Sequence, residues 1–188
     1  MNIVFVGGVH GVGKTHLCTY VANVHSVKHL SASQIIKEQA SRNTLRTDKS
    51  VADVISNQQL LLDGLSRYRQ QVSHLLLDGH FVLRTDSDSV SPIPLSVFEE
   101  ISPLGVILLT AATEVIASRL ARKGVYFEKS FIQKFQNAEV AQAKLFAESS
   151  SVSLVELVDP TVDGFLETVI STFGDSWPPR PLDRKSVV

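Results

Sequence analysis

The 188 residues carry 18 Lys and Arg against 19 Asp and Glu, a formal charge of −1, with 44% hydrophobic and 20% charged residues. That balance predicts one soluble globular domain and excludes a wholly disordered chain; no global basic excess points to nucleic acid or an anionic membrane. One cysteine, Cys18, excludes an internal disulfide and a multi-cysteine zinc site.

Short apolar runs alternate with amphipathic stretches along the chain. Asn2–Val6 is almost wholly apolar and stops at Gly7 and Gly8, the pattern of a strand buried on both faces. A helix over Gly13–Val24 follows, then a weak strand over Val27–Leu30. Ser31 or Ser33 is placed to cap a helix running to about Ala40. Asn43–Ser50 reads as a loop, and Val51–Tyr68 as the clearest helix, with Val51, Val54, Ile55, Leu61, Leu62 and Leu65 at helical spacing. A third strand, His74–Asp78, ends in Asp-Gly, and Arg84–Pro94 reads as a polar loop. Next come a short helix over Leu95–Ile101, a strand over Leu104–Thr110 and a helix over Glu114–Arg122. A long helix over Phe131–Ser149, a fifth strand over Ser153–Val158 and a helix over Val162–Phe173 complete the domain. Residues 175–188 form a proline-rich tail without periodicity, expected to be mobile or draped on the surface. The apolar start NIVFV is far too short for a signal sequence, and no run approaches a membrane span, so the expectation is a cytoplasmic protein. Strands alternating with helices predict an α/β fold: a parallel sheet covered on both faces, with ligands at the carboxyl ends of the strands.

The strongest motifs lie at those ends. Gly8-Val9-His10-Gly11-Val12-Gly13-Lys14-Thr15 fits G-x-x-x-x-G-K-[ST] between a buried strand and a helix, with His16 next. Glycines let successive N–H groups turn inward around phosphate oxygens, and the free N–H groups of the helix add the positive end of its dipole. Lys14 is placed to reach the β- and γ-phosphates of ATP, and Thr15 to offer a hydroxyl to Mg²⁺. Asp78 is a candidate Mg²⁺ acid acting through water. His80 is a candidate for bonding a substrate or Asp78. Arg119 and Arg122, three apart on one helix, share a face and could neutralise a migrating phosphoryl group. Arg84, Arg42 and Arg46 are candidates for a second, anionic substrate. The six histidines show no zinc-type spacing, and Cys18 reads as apolar filler.

With GVHGVGKT at Gly8–Thr15, LLLDGHFVLRT at Leu75–Thr85, IPLSVFEEISPLGVILL at Ile93–Leu109 and SRLARKG at Ser118–Gly124, the chain resembles the small P-loop nucleoside monophosphate kinases, most of all the archaeal-type adenylate kinases. The resemblance covers roughly residues 1–172. It implies a three-layer P-loop fold with a five-stranded parallel sheet, an acceptor-binding insert over 31–70 with Ser33 at the acceptor site, and a lid over 122–136. It implies that Gly11, Gly13, Lys14 and Thr15 bind ATP phosphates and Mg²⁺, that Asp78 orients Mg²⁺, and that Arg119 and Arg122 neutralise the phosphoryl group. The loop Asp159–Asp163 would then lie by the adenine. The implied activity is transfer of the ATP γ-phosphoryl to a nucleoside monophosphate or similar small acceptor. Two other readings fit the residues. One is a nucleotide-binding switch acting through a protein partner, suited by a lid stretch GVYFEKSFIQKF that offers only Lys129 and Lys134 and by a tail holding Trp177. The other is a polynucleotide-end kinase.

Overall fold

A computed structural model describes residues 1–43, 54–85 and 89–178. The Asn43–Ser50 loop beyond residue 43, Arg46, the first three residues of the expected Val51–Tyr68 helix and the tail beyond residue 178 lie outside the described residues.

In chain order the elements are β1 Asn2–Gly7, α1 Lys14–Val24, β2 Lys28–Ser31, α2 Ala32–Asn43, α3 Val54–Tyr68 and β3 His74–Asp78. They continue as β4 Val82–Arg84, β5 Val90–Pro92, α4 Leu95–Ile101, β6 Gly105–Thr110, α5 Thr113–Ala121, α6 Lys129–Ser150, β7 Ser153–Val158 and α7 Val162–Phe173. A short 3₁₀ turn, Gly174–Ser176, follows. Five strands form one parallel sheet in the order β2-β3-β1-β6-β7. Helices cover both faces, as all-parallel strands require.

Alternation along β1 builds both halves of the core. Val4 and Val6 face Leu17, Cys18 and Val21 of α1 and Phe165, Val169 and Phe173 of α7. Ile3 and Phe5 face the other way, into a cluster with Ile35, Leu61, Leu65, Phe98 and Phe146. Phe5 meets Phe81 and Phe98 edge-on at 5.0 and 5.4 Å between ring centres. Burying each such ring contributes about 1.5–3 kcal/mol.

Two expectations are corrected. The segment read as a loop over Arg84–Pro94 holds β5 and, with β4, an antiparallel pair: Val82 opposite Pro92, Leu83 opposite Ser91, Arg84 opposite Val90. Three-residue strands with a proline in the second carry too little alternation to register as a sequence pattern. Trp177, read as a docking residue for a partner, packs within the chain, 4.9 Å from the His25 ring and 5.7 Å from Phe173. Ser31 is the residue that caps α2, its Oγ accepting from the Gln34 N–H at 3.1 Å.

Register places the chemistry. Val6 of β1 and Ser31 of β2 both lie opposite Asp78 of β3, so the P-loop, the start of α2 and Asp78 emerge together at the carboxyl end of the sheet.

Candidate active site

The P-loop leaves β1 through three glycines at positive φ: Gly8 at 136°, Gly11 at 82° and Gly13 at 117°. Gly13 is also the N-cap of α1, which has no side-chain cap and no acid in its first turn. Its orphan N–H groups and dipole are therefore left to an anion. Lys14 opens the helix and is 7% exposed. Its Nζ donates to the Gly8 carbonyl and, at 3.2 Å, to that of Val9. Burial pushes its pKa down, while the charges of Glu139 and Asp78 oppose the shift.

Thr15 Oγ1 donates to Asp78 Oδ2 at 3.3 Å. The same oxygen lies 2.6 Å from His29 Nε2, and His29 Nδ1 lies 3.3 Å from Thr19 Oγ1. A hydroxyl and a buried carboxylate converging beside a glycine cradle are the hard oxygen ligands that suit Mg²⁺ on a nucleotide. The residues present fit that group: Thr15 would hold it directly and Asp78 through water.

Gly79 leaves β3 against the Phe5 ring, where a Cβ would come within 2.9 Å. His80 follows. Its Nδ1 lies 2.8 Å from Oε1 of Glu139, an α6 acid with no exposed surface. The Phe81 N–H donates to the other oxygen, Oε2, at 2.9 Å. Burial pushes Glu139 up to about 7, against the pull of the Phe81 N–H and of Lys14. Burial and the Lys14 charge push His80 down to about 3. Both shifts favour uncharged forms. His10 of the P-loop rests on the His80 ring at 4.3 Å, and His80 stacks on Phe135 at 5.9 Å.

This pair gives a test. Glu139→Gln keeps the shape and removes the titration. Between pH 4.5 and about 7 the folded chain keeps a proton on Glu139 that the unfolded chain releases, so this group's contribution to stability falls as pH rises. His80, depressed, works in the opposite direction below its ordinary range. The Gln variant is expected to gain on the parent between about pH 5 and about pH 8, by at most ~3 kcal/mol. Denaturant melts at the two pH values measure it; a pH-independent difference would contradict the buried acid.

Arg119 of α5 donates to the Val12 carbonyl at 3.0 Å and to Asp159 Oδ1 at 2.7 Å. It thus ties the P-loop to the loop after β7. Arg122, at the end of α5, faces the same cleft.

One cleft of about 630 Å³ gathers these groups. Val9, His10, Gly11, Val12, Gly13, Lys14, Thr15 and His16 line one end, with Arg119 and Arg122 beside them. Asp78, His80 and Ser33 line it as well. Gly8 lies beneath, against Leu109 of β6. Two candidates are not brought in. Arg42 sits exposed on the last turn of α2. Arg84 lies over the Phe127 and Phe131 rings at 4.8 and 5.4 Å. Residues 129–136 of the expected lid form the first two turns of α6.

His29 and Glu139 were not singled out from sequence. Glu139 had a signal: it interrupts the apolar stripe Ile132, Phe135, Ala143, Phe146 at helical spacing. His29 had none, because its nearness to Asp78 comes from the pairing of β2 with β3. Among the described residues no group of three His, Cys, Asp or Glu could hold a metal alone, and no helix is long and apolar enough to cross a membrane.

Residues 7–129 match the AAA domain family. The chain is 26% identical over 176 residues to the cytidylate kinase of Methanopyrus kandleri, covering 90% of this chain and 84% of that protein. Among solved structures it is similar to a sugar kinase from Janibacter sp. HTCC2649, with TM-score 0.56, 18% identity and coverage of 92% and 94% of the two chains. It is also similar to the tunicamycin resistance protein of Deinococcus radiodurans, with TM-score 0.64, 13% identity and coverage of 95% and 99%. With its P-loop, its parallel sheet and the match from β1 to the start of α6, the chain belongs to the AAA domain family and has the α/β fold of the P-loop kinases.

Proposed function

We propose that this chain is an ATP-dependent kinase that passes the γ-phosphoryl group to a small acceptor held in the same cleft. One observation carries the reading. The cleft that the P-loop lines is lined as well by α2, α3 and α4, so donor and acceptor can share one space with Asp78. Phosphoryl transfer needs positioning and charge neutralisation more than covalent help. The loop N–H groups and Lys14 would hold the β- and γ-phosphates. Thr15 and Asp78 would hold Mg²⁺, which supplies charge neutralisation when bound. His29 holds the Asp78 carboxylate at Oδ2, and Arg119 braces the loop through Val12. Arg122, which lines the same cleft, would neutralise the migrating group. Residues 31–70 would form the acceptor side and 122–136 the closing segment.

The acceptor classes to try first are nucleoside monophosphates, implied by the adenylate kinase resemblance and by the cytidylate kinase relative, and sugars. ADP release from MgATP should rise when the right acceptor is added. Asp78→Asn is expected to lower that turnover by about 10–100-fold and to raise the Mg²⁺ needed, as loss of a partner acting through a metal-bound water does. ADP release indifferent to every acceptor, or unchanged by the Asn variant, would count against the kinase reading.

A further inference from the structure

The chamber that α2, α3 and α4 line in this cleft differs in chemistry from the part lined by the P-loop. Its apolar wall includes Phe5, Leu61, Val97, Phe98 and Ile101, members of the core cluster on the sheet face away from α1, and Ile36, packed against that cluster. Phe5 and Phe98 are 2% exposed and Ile101 0%, yet all three line the chamber, so its apolar wall is set deep in the core. The lysines and arginines that line the cleft are Lys14, Arg119, Arg122 and Lys123. All four belong to the P-loop or to α5 and its end, on the donor side. Among the described residues, none comes from α2, α3 or α4. Its polar groups are uncharged: Ser33, Asn57 and Gln58. Ser33 Oγ is 3.1 Å from Ser31 Oγ. Gln58 Nε2 is buried with no hydrogen-bond partner among the described residues.

A phosphomonoester is a dianion near neutral pH. Moving it into an apolar chamber without a cation is strongly unfavourable, and proteins meet that need with arginine or lysine. Apolar walls instead reward an apolar body, and a buried amide donor rewards an oxygen that can accept its hydrogen.

We propose that the chamber selects an uncharged, hydroxyl-bearing acceptor with a largely apolar body, of the nucleoside or aryl-glycoside kind, over a phosphorylated one. The inference rests on the kinase reading above. In the transfer, the acceptor hydroxyl oxygen forms the new bond to the γ-phosphorus. The bond from that phosphorus to the β,γ-bridging oxygen breaks. ADP leaves with the electron pair, and the hydroxyl proton passes to water. Gln58 positions the acceptor through an acceptor oxygen.

Matched pairs test it with MgATP: cytidine against cytidine 5′-monophosphate, adenosine against adenosine 5′-monophosphate, and 4-nitrophenyl β-glucoside against its 6-phosphate. The uncharged member is expected to have the higher kcat/KM in each productive pair, by about tenfold or more. Gln58→Leu should raise its KM about tenfold, leave kcat near the parent value and not lower the melting temperature, since it removes an unpaired buried donor. Leu61→Arg should shift preference toward the phosphorylated member; where that variant does not fold, the Gln58 variant carries the test. Lys14-dependent transfer that favours the phosphorylated members equally or more would overturn this inference and leave the kinase reading standing. ATP turnover that no member stimulates and that Lys14→Ala leaves unchanged would overturn the kinase reading, and the inference with it.

Discussion

Replacing Lys14 with methionine should lower phosphoryl transfer by about 10²–10³-fold while leaving the fold in place. Lys14 stands at the first position of α1, directly after the Gly13 N-cap. Its ammonium is almost wholly withdrawn from water and donates to the carbonyls of Gly8 and Val9. A charge so placed is little screened by solvent, so its pull on developing phosphoryl charge is large and needs no reorganisation during the reaction. Methionine keeps most of the aliphatic stem packed. Two loop carbonyls lose a partner, which costs about 1–3 kcal/mol each. Removing a desolvated charge offsets part of that loss. The expected signature is a large fall in kcat with a melting temperature displaced by only a few degrees. Single-turnover transfer and thermal melts of the two proteins measure both quantities. An activity loss that merely follows the loss of fold, or an unchanged kcat, would remove Lys14 from the reaction.

Most of the scaffold was legible because its signals are local. Apolar runs such as Asn2–Val6 and Leu104–Thr110 mark strands buried on both faces, and they became β1 and β6. The P-loop was legible because glycine spacing, strand and helix coincide within a dozen residues. The failures share a cause. β4 and β5 are three-residue strands that exist through each other, and neither carries a period of its own. The Asp78–His29 contact depends on β2 lying beside β3, a fact of topology that spacing along the chain does not encode. Glu139 is intermediate. Its helix was predicted, and its place on the apolar stripe was visible, but its partners His80 and Phe81 lie 59 and 58 positions away. Arg84 illustrates the reverse case. Its charge suggested an anionic ligand, whereas the fold lays it over two aromatic rings, where the guanidinium gains cation–π attraction instead.

The second large effect is expected at Gly8. Gly8→Ala should destabilise the chain by about 3–5 kcal/mol and abolish the nucleotide-induced rise in melting temperature even in the fraction that folds. Gly7 is the last residue of β1, paired with Leu108 of β6, so Gly8 turns off the sheet directly over Leu109. A Cβ there would stand 2.5 Å from the Leu109 carbonyl oxygen and 3.1 Å from Val12 Cγ1. The first obstacle is backbone in the middle of a parallel sheet, which cannot rotate aside as a side chain can. The φ of 136° adds strain that L residues rarely accept. The chain can relieve both only by lifting the loop from β6, and that movement rotates the N–H groups out of the cradle. Gly124→Ala is the control: φ there is 72°, but nothing lies within 4 Å of the added carbon. It isolates the backbone preference, about 1–2 kcal/mol, from the collision. Denaturant melts of the three proteins, with and without MgATP, separate the two contributions. Equal losses at both positions would mean that conformational preference alone fixes the loop; a larger loss at Gly8, with the nucleotide response gone, would show that the close approach to β6 holds the phosphate cradle in shape.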